Sequence, residues 1–290
     1  MAAGVRSLSM HVSEIWRYPV KSMVGESVPT GALDELGIAG DRWWATRDLD
    51  KGGIKGAKKL GGLMRCRAAA IGATGGDVSI TLPNGSSVLT TDPDVHDRVS
   101  AAIGAHVRLE RLRPASDLDH YRPGAPDSGD MVTEIRAIMG REGDEPLPDF
   151  SIFPPAVFEF TSPPGTYYDA FPLMIMSTSS LRSLAAALPD SVIDVRRFRP
   201  SFVIDTGDAP GHPELGWAVG TRYQVGGAVI EIQAPCPRCV MPTREIAATI
   251  PADRAILRYI VRELGQNLGT YASVVQPGPF AVGDPLTLLP

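Results

Sequence analysis

Two cysteines three residues apart, Cys236 and Cys239, lie in the run Gln233-Ala234-Pro235-Cys236-Pro237-Arg238-Cys239-Val240-Met241-Pro242-Thr243. A thiolate is a soft ligand and a nucleophile, and a neighbouring cation favours it over the thiol, so Arg238 between the sulfurs suits metal ligation or redox work. Pro235, Pro237 and Pro242 restrict the backbone, which predicts a rigid loop following an alternating strand, Tyr223 to Ile232. A plainer reading makes both cysteines small apolar fillers. A thioredoxin-like pair would open a helix in a βαβ unit, whereas Pro242 follows here. A zinc site would need two more ligands, to be drawn from Cys66 and five scattered histidines.

Other candidates are cations and hydroxyls at the ends of apolar runs. Lys21 and Ser22 close Tyr18-Pro19-Val20-Lys21-Ser22, and Arg42 follows Gly40-Asp41. Loops at strand ends carry function more often than strands do, although a lone Lys or Arg is commonly a solvated charge. In Arg196-Arg197-Phe198-Arg199-Pro200, three arginines precede an apolar strand, Phe202 to Asp205, which is unusual unless something negative meets them. Ser177-Thr178-Ser179-Ser180 opens a helix, Leu181 to Leu188, where the hydroxyls can cap it or hold an anion. The loop Lys51 to Gly62 is basic and rich in glycine but lacks the Walker pattern, and reads as a flexible surface loop.

These residues need a scaffold of short strands. Gly 30 and Pro 26 in 290 residues suit many strands joined by tight turns. Strands are expected at 12–16, 27–28, 42–45, 64–73, 107–112, 171–176, 271–275 and 286–289, with a hairpin from Val78, Ile80 and Leu82 into Asn84-Gly85. Helices are expected at 93–103 with Asp92 as cap, at 131–139 and at 251–264, where Ile256, Ile260 and Leu264 share a face. Residues 1–9 read as a disordered extension, 10–115 as one domain, 116–150 as an acidic connector rich in proline, and 151–290 as a second domain.

Composition limits the function. With 28 basic and 33 acidic residues, the net charge of −5 argues against a nucleic-acid or anionic-membrane surface. Three cysteines make no disulfide framework, and an odd count fits a reducing, cytoplasmic compartment. No run of about 18 apolar residues is present.

Taken in order, the motifs Tyr18-Pro19-Val20-Lys21-Ser22, Asp41-Arg42, Phe198-Arg199-Pro200, Pro235-Cys236-Pro237-Arg238-Cys239, Gly269-Thr270-Tyr271 and Val282-Gly283-Asp284-Pro285 resemble those of the MOSC family, the molybdenum cofactor sulfurase C-terminal domain proteins. The chain looks most like the two-part members with an N-terminal β-barrel region, such as the mitochondrial amidoxime reducing component. The resemblance implies a β-rich α+β fold, an N-terminal barrel-like region followed by a MOSC β-barrel with a few peripheral helices. It implies a molybdenum cofactor, with Cys239 as metal ligand and catalytic centre. Lys21, Ser22, Arg42, Ser177, Thr178, Arg199, Ser201, Arg238 and Tyr271 are the implied cofactor contacts. Ser201 stands where the family often has Asn, and Pro237, which has no N–H, stands where a serine is common.

The implied activity is reduction of small N-hydroxylated substrates. No dinucleotide, haem-attachment or four-cysteine motif is evident, so no flavin or Fe–S cluster is expected on this chain, and electrons would come from a separate donor protein. No pyridoxal phosphate is expected. No nucleic acid partner is expected beyond modified bases or nucleosides, and no membrane. The alternative is a cofactor carrier, or a persulfide carrier on Cys239.

Overall fold

The computed structural model describes residues 10–72, 76–247 and 249–290; the expected extension 1–9 lies outside them. The architecture is β-rich, with 17 strands and six α-helices among the described residues. No helix among these is long and apolar enough to cross a membrane.

One eight-stranded sheet dominates. Its strands run, edge to edge, Leu286–Leu288, Arg222–Val225, Ala228–Pro237, Asn267–Gln276, Leu173–Ser177, Phe202–Asp205, His11–Arg17 and Glu26–Val28. Leu173–Ser177 and Phe202–Asp205 are parallel, and the helix Thr178–Ala187 makes the crossover that a parallel pair requires. Three-stranded sheets hold much of the rest. Trp44–Asp48 lies between Val107–Arg111 and Ile54–Lys55, and Val78–Thr81 between Arg67–Ala70 and Ser87–Leu89.

The expected division near 116–150 does not divide the sheets. His11–Arg17 and Glu26–Val28 belong to the eight-stranded sheet, and Thr30–Asp34 pairs with Gly278–Ala281. In return, Met241, Ile246 and Ile250 enter the core formed by Val20, Met64, Cys66, Ile80 and Val107. The chain therefore locks the two halves together with the segment that follows Cys239. Cys66 is a core residue, and burial pushes its thiol up to about 11.

Several expected elements shift for local reasons. The first part of 64–73 forms a 3-10 turn, Gly61–Arg65, so Cys66 caps that turn and the strand starts at Arg67. The helix at 95–103 is preceded by Asp94, whose side chain makes no cap bond; Asp92 instead accepts from the Leu89 N–H. The helix expected from 251 begins at Ala255 and that expected at 181–188 begins at Thr178, because Ser177 accepts from the Ser180 N–H and caps it.

Candidate functional site

Cys239 is placed by the strand before it. Ala228, Ile230, Ile232, Ala234 and Cys236 are buried on alternate positions of Ala228–Pro237. The strand thus continues through Pro235 and Pro237 rather than ending in a proline loop, and Cys236 lies within it. Register shifts near Ala234 and Pro237 against Asn267–Gln276 accommodate the missing N–H groups. Beyond Pro237 the loop is clamped. The Arg238 N–H donates to the Gln266 carbonyl, and Arg141 donates to the Arg238 carbonyl at 3.2 Å and to Gln266 Oε1 at 2.9 Å. The Val240 N–H donates to the Ile138 carbonyl. Cys239, half-buried, is held between these two anchors.

Three neighbouring cavities share lining residues here. One of about 90 Å³ is lined by Cys239, Arg42, Arg199, Arg238 and Tyr271. A second, of about 250 Å³, is lined by Lys21, Ser22, Lys55 and Lys58. A third, of about 340 Å³, runs from Cys239 and Tyr271 to the helix Met131–Met139. Asp169 lines all three.

Asp169 is the electrostatic hinge. Its carboxylate lies 2.7 Å from Lys21 Nζ and 2.9 Å from Lys58 Nζ and is 40% exposed, at the cavity junction. Crowding by protein would raise its pKa, but the two ammonium groups outweigh that and hold it well below the usual carboxylate range. Lys21 shares this carboxylate and also donates to the Tyr167 carbonyl at 2.6 Å and to Ser162 Oγ at 3.5 Å, yet burial prevails and lowers its pKa. Lys58 is pulled down by burial, yet Asp169 and the two cysteines carry it above the ordinary lysine value. The loop 51–62 is therefore not a free surface loop. Lys55 pairs with Asp48 at 3.1 Å, Lys59 with Asp127 and Glu134, and Lys58 with Asp169.

Around Tyr18 the backbone is unusual. Ser22, Arg42 and Arg199 have φ of 70°, 52° and 60°, in the left-handed region that non-glycine residues rarely adopt. Arg199 lies 4.1 Å and Arg42 5.6 Å from the ring centre of buried Tyr18, whose hydroxyl donates to the Pro200 carbonyl. Arg42 pairs with Asp41, and Arg199 Nη1 donates to the Met23 carbonyl. Among the described residues, Arg199 Nη2 is buried without a hydrogen-bond partner. Burial pulls this guanidinium down to about 10.

The other arginines of the triplet are occupied. Arg196 forks onto Asp194 at 2.8 and 2.6 Å. Arg197, fully buried, donates to the carbonyls of Val192, Pro242, Arg244 and Pro251, and so ties down the segment after Cys239.

Arg238, between the two cysteines in sequence, does not hydrogen-bond to Cys239. Its Nη1 instead donates to Cys236 Sγ at 3.2 Å and its Nη2 to the Phe198 carbonyl at 2.8 Å. Burial lowers its pKa, but the sulfurs raise it by more. Tyr271 hydrogen-bonds to Cys236, and burial with that partner raises its pKa well above the ordinary value.

Lys21, Ser22, Arg42, Arg199, Arg238 and Tyr271 thus converge on the Cys239 cleft, and three expected contacts do not. Ser177 Oγ and Ser180 Oγ each donate to a Glu214 oxygen at 2.5 Å. Thr178 Oγ1 donates to Asp205 at 3.2 Å. Ser201 is buried, and its Oγ accepts from the Met174 N–H between strands. Ser177, Thr178 and Ser201 line none of the three cavities. Asp169, Lys58, Tyr18 and Arg141 were missed as site residues. Only Tyr18 stood inside a motif, and the other three arrive from segments distant in sequence.

Among the described residues, no three His, Cys, Asp or Glu side chains converge as a metal site. Zinc held by Cys236 and Cys239 would have too few ligands. A single accessible thiol beside several cations fits a metal that brings its own sulfur donors and a phosphate. The unpartnered Arg199 Nη2 is where an anion would be satisfied.

Family models match the chain twice: a MOSC N-terminal beta barrel domain over residues 9–107 and a MOSC domain over 163–287, leaving 108–162 between them. No curated protein sequence matches significantly. Among solved structures, the YuaD protein from Bacillus subtilis is similar at 12% identity over 97% of this chain and 95% of that one, with a TM-score of 0.47. YiiM from Geobacillus stearothermophilus shares 17% identity over 41% of this chain and 55% of its own, with a TM-score of 0.31.

Proposed function

This chain belongs to the two-part MOSC proteins, with an N-terminal β-barrel domain and a MOSC domain, and from that premise we propose that it holds a molybdenum cofactor on Cys239 and reduces N-hydroxylated compounds with electrons from a separate donor protein. The observation that carries the cofactor half is Arg199. A buried guanidinium with an unsatisfied N–H beside a half-buried thiol is costly unless an anionic ligand belongs there. The N–O half rests on the resemblance of the motif set to the amidoxime-reducing members.

The residues have distinct tasks in this reading. Cys239 supplies the protein's thiolate. Arg199 and Arg42, fixed by the Tyr18 ring, would hold the anionic and polar groups of the cofactor, with Lys21 extending the positive field. Arg238, turned toward Cys236, keeps the strand end in place and adds positive charge to the pocket. When bound, the cofactor supplies the two-electron chemistry that turns R–NH–OH, two electrons and two protons into R–NH₂ and water. Tyr271 and the Lys58–Asp169 pair stand where the cofactor pocket opens into the larger cavity, able to orient the substrate's polar head.

The test is reduction of a model amidoxime by the cofactor-loaded chain with a working electron donor. Cys239→Ala is expected to abolish turnover, and undiminished turnover would overturn the assignment. A cyanolysable sulfur on Cys239 without N-reduction would favour the persulfide-carrier role instead.

A further inference from the structure

The third cavity has a character that the cofactor does not explain. Its floor is Cys239, Pro237 and Tyr271, but its walls come from residues 108–162, the segment between the two family matches. Met131 and Ile135 on one helix face Phe150, Phe153, Val157 and Phe158 from the turns that follow. Met131 is 76% and Phe158 64% exposed, although both are large and apolar. Apolar side chains gathered at the rim of a cavity, rather than scattered singly, mark a binding site.

The rings are ordered. Phe150 and Phe153 are 6.1 Å apart, Phe153 and Tyr271 6.4 Å, and Tyr271 and Phe171 5.2 Å. These separations fall in the range of ring–ring attraction, so Phe153 links Phe150 in the wall to Tyr271, which lines both this cavity and the cofactor pocket. The charged residues lining the cavity, Lys58 and Asp169, neutralise each other at 2.9 Å. The wall built from residues 108–162 places no charged side chain in the lining, so it offers no ionic partner to a substrate's body. The volume of about 340 Å³ is at the small end for ligand sites.

We infer that the connector builds a specificity vestibule for a neutral substrate with a compact aryl or bulky apolar body, its polar reacting group directed past Tyr271 to Cys239. The identity of the reacting group rests on the proposed N–O reduction; the preference for an apolar body does not. Nucleotide-like, sugar-like and multiply charged bodies are disfavoured, because the wall from residues 108–162 offers them Thr161 as its one polar side chain in the lining. Met131, exposed on the wall, lets one vestibule accept several apolar shapes.

Two measurements separate this inference from the function it refines. The first uses the full chain without cofactor and reads alkylation of Cys239 by N-benzyl-iodoacetamide and by iodoacetamide. Each rate is divided by that with a free thiol, and the modified residue is identified by peptide mass. Burial of one phenyl ring predicts a benzyl preference of about 10- to 100-fold. Phe158→Ser, at an exposed position that should fold normally, and Phe153→Ser are each expected to lower that ratio at least about threefold. A wild-type ratio near one, or ratios unchanged in both variants, overturns the vestibule. The second compares kcat/KM for benzamidoxime and acetamidoxime in the loaded enzyme with its donor, where the aryl substrate is expected to lead by a similar factor. Benzyl preference with neither amidoxime reduced would refute the N–O reading and leave the vestibule standing. Equal reduction of both with no benzyl preference would do the reverse.

Discussion

Replacing Arg199 by methionine separates a residue that serves a ligand from one that serves the fold. The fall of its pKa from 12.5 to about 10 corresponds to about 3 kcal/mol against holding the charge in the folded chain. The folded state binds this proton less tightly than the unfolded state, so the cost is in full force below pH 10 and disappears only as pH rises from there toward 12.5. Against it stand a charge-assisted bond to the Met23 carbonyl, about 2 kcal/mol, and the stacking on Tyr18, about 1 kcal/mol. These nearly cancel. Arg199→Met is therefore expected to shift the Tm of the cofactor-free protein by no more than about 3 °C in either direction.

An anion on Nη2 would recover the charge penalty, which corresponds to about 100-fold in affinity. Thermal unfolding during a pyrophosphate titration reads both effects. Wild-type Tm should rise by about 3–6 °C at saturation, while the variant rises by less than about 1 °C. If Arg199→Met loses several kcal/mol without anion and wild type ignores pyrophosphate, Arg199 is a structural residue and the reasoning fails.

Further consequences concern the residues around the cleft. Asp169→Asn leaves Lys21 and Lys58 facing each other without their shared carboxylate. After allowance for its 40% exposure, the loss at neutral pH is about 1–2 kcal/mol. The folded pKa of Asp169 is depressed, so its contribution is complete above the unfolded value near 4 and is lost as pH falls below that. The gap in Tm between wild type and Asp169→Asn should therefore close in acid, and a gap that widens there would contradict the pairing. Gly140→Ala should destabilise by about 2 kcal/mol, because its φ is +63° and a Cβ would sit 2.7 Å from Leu257 and 3.1 Å from Val240. Since Val240 follows Cys239, the same variant should change the Cys239 alkylation rate; an unchanged rate would show that the loop does not depend on this contact.

The strands were legible where one face meets a core, as in Val78 to Leu82, whose alternation and Asn84-Gly85 turn give the observed hairpin. The helix at 131–139 was legible, and the structure bounds it with Asp130, which accepts from the Thr133 N–H, and with Gly140 at its end. The strand through Pro235 and Pro237 was not, because proline reads as a stop and its tolerance comes from register shifts in a neighbour 30 or so residues away. The serine cluster looked like a ligand site because nothing local announces Glu214, which occupies two of its hydroxyls. Asp169 and Arg141 have no local signature, since their roles depend on Lys21 and on the Arg238 carbonyl, each about a hundred residues or more distant. The arginine triplet shows the same limit. Its composition announced an anion, but geometry leaves only Arg199 free for one.

The central claim is that Cys239 carries a molybdenum cofactor held by the surrounding cations. Molybdenum and pterin content, measured on wild type and Cys239→Ala made side by side in a host that synthesises the cofactor, tests it most directly. Near one equivalent of each in wild type and little metal in the variant is the expected result. Equal molybdenum in both proteins, or zinc in place of molybdenum in wild type, would contradict it.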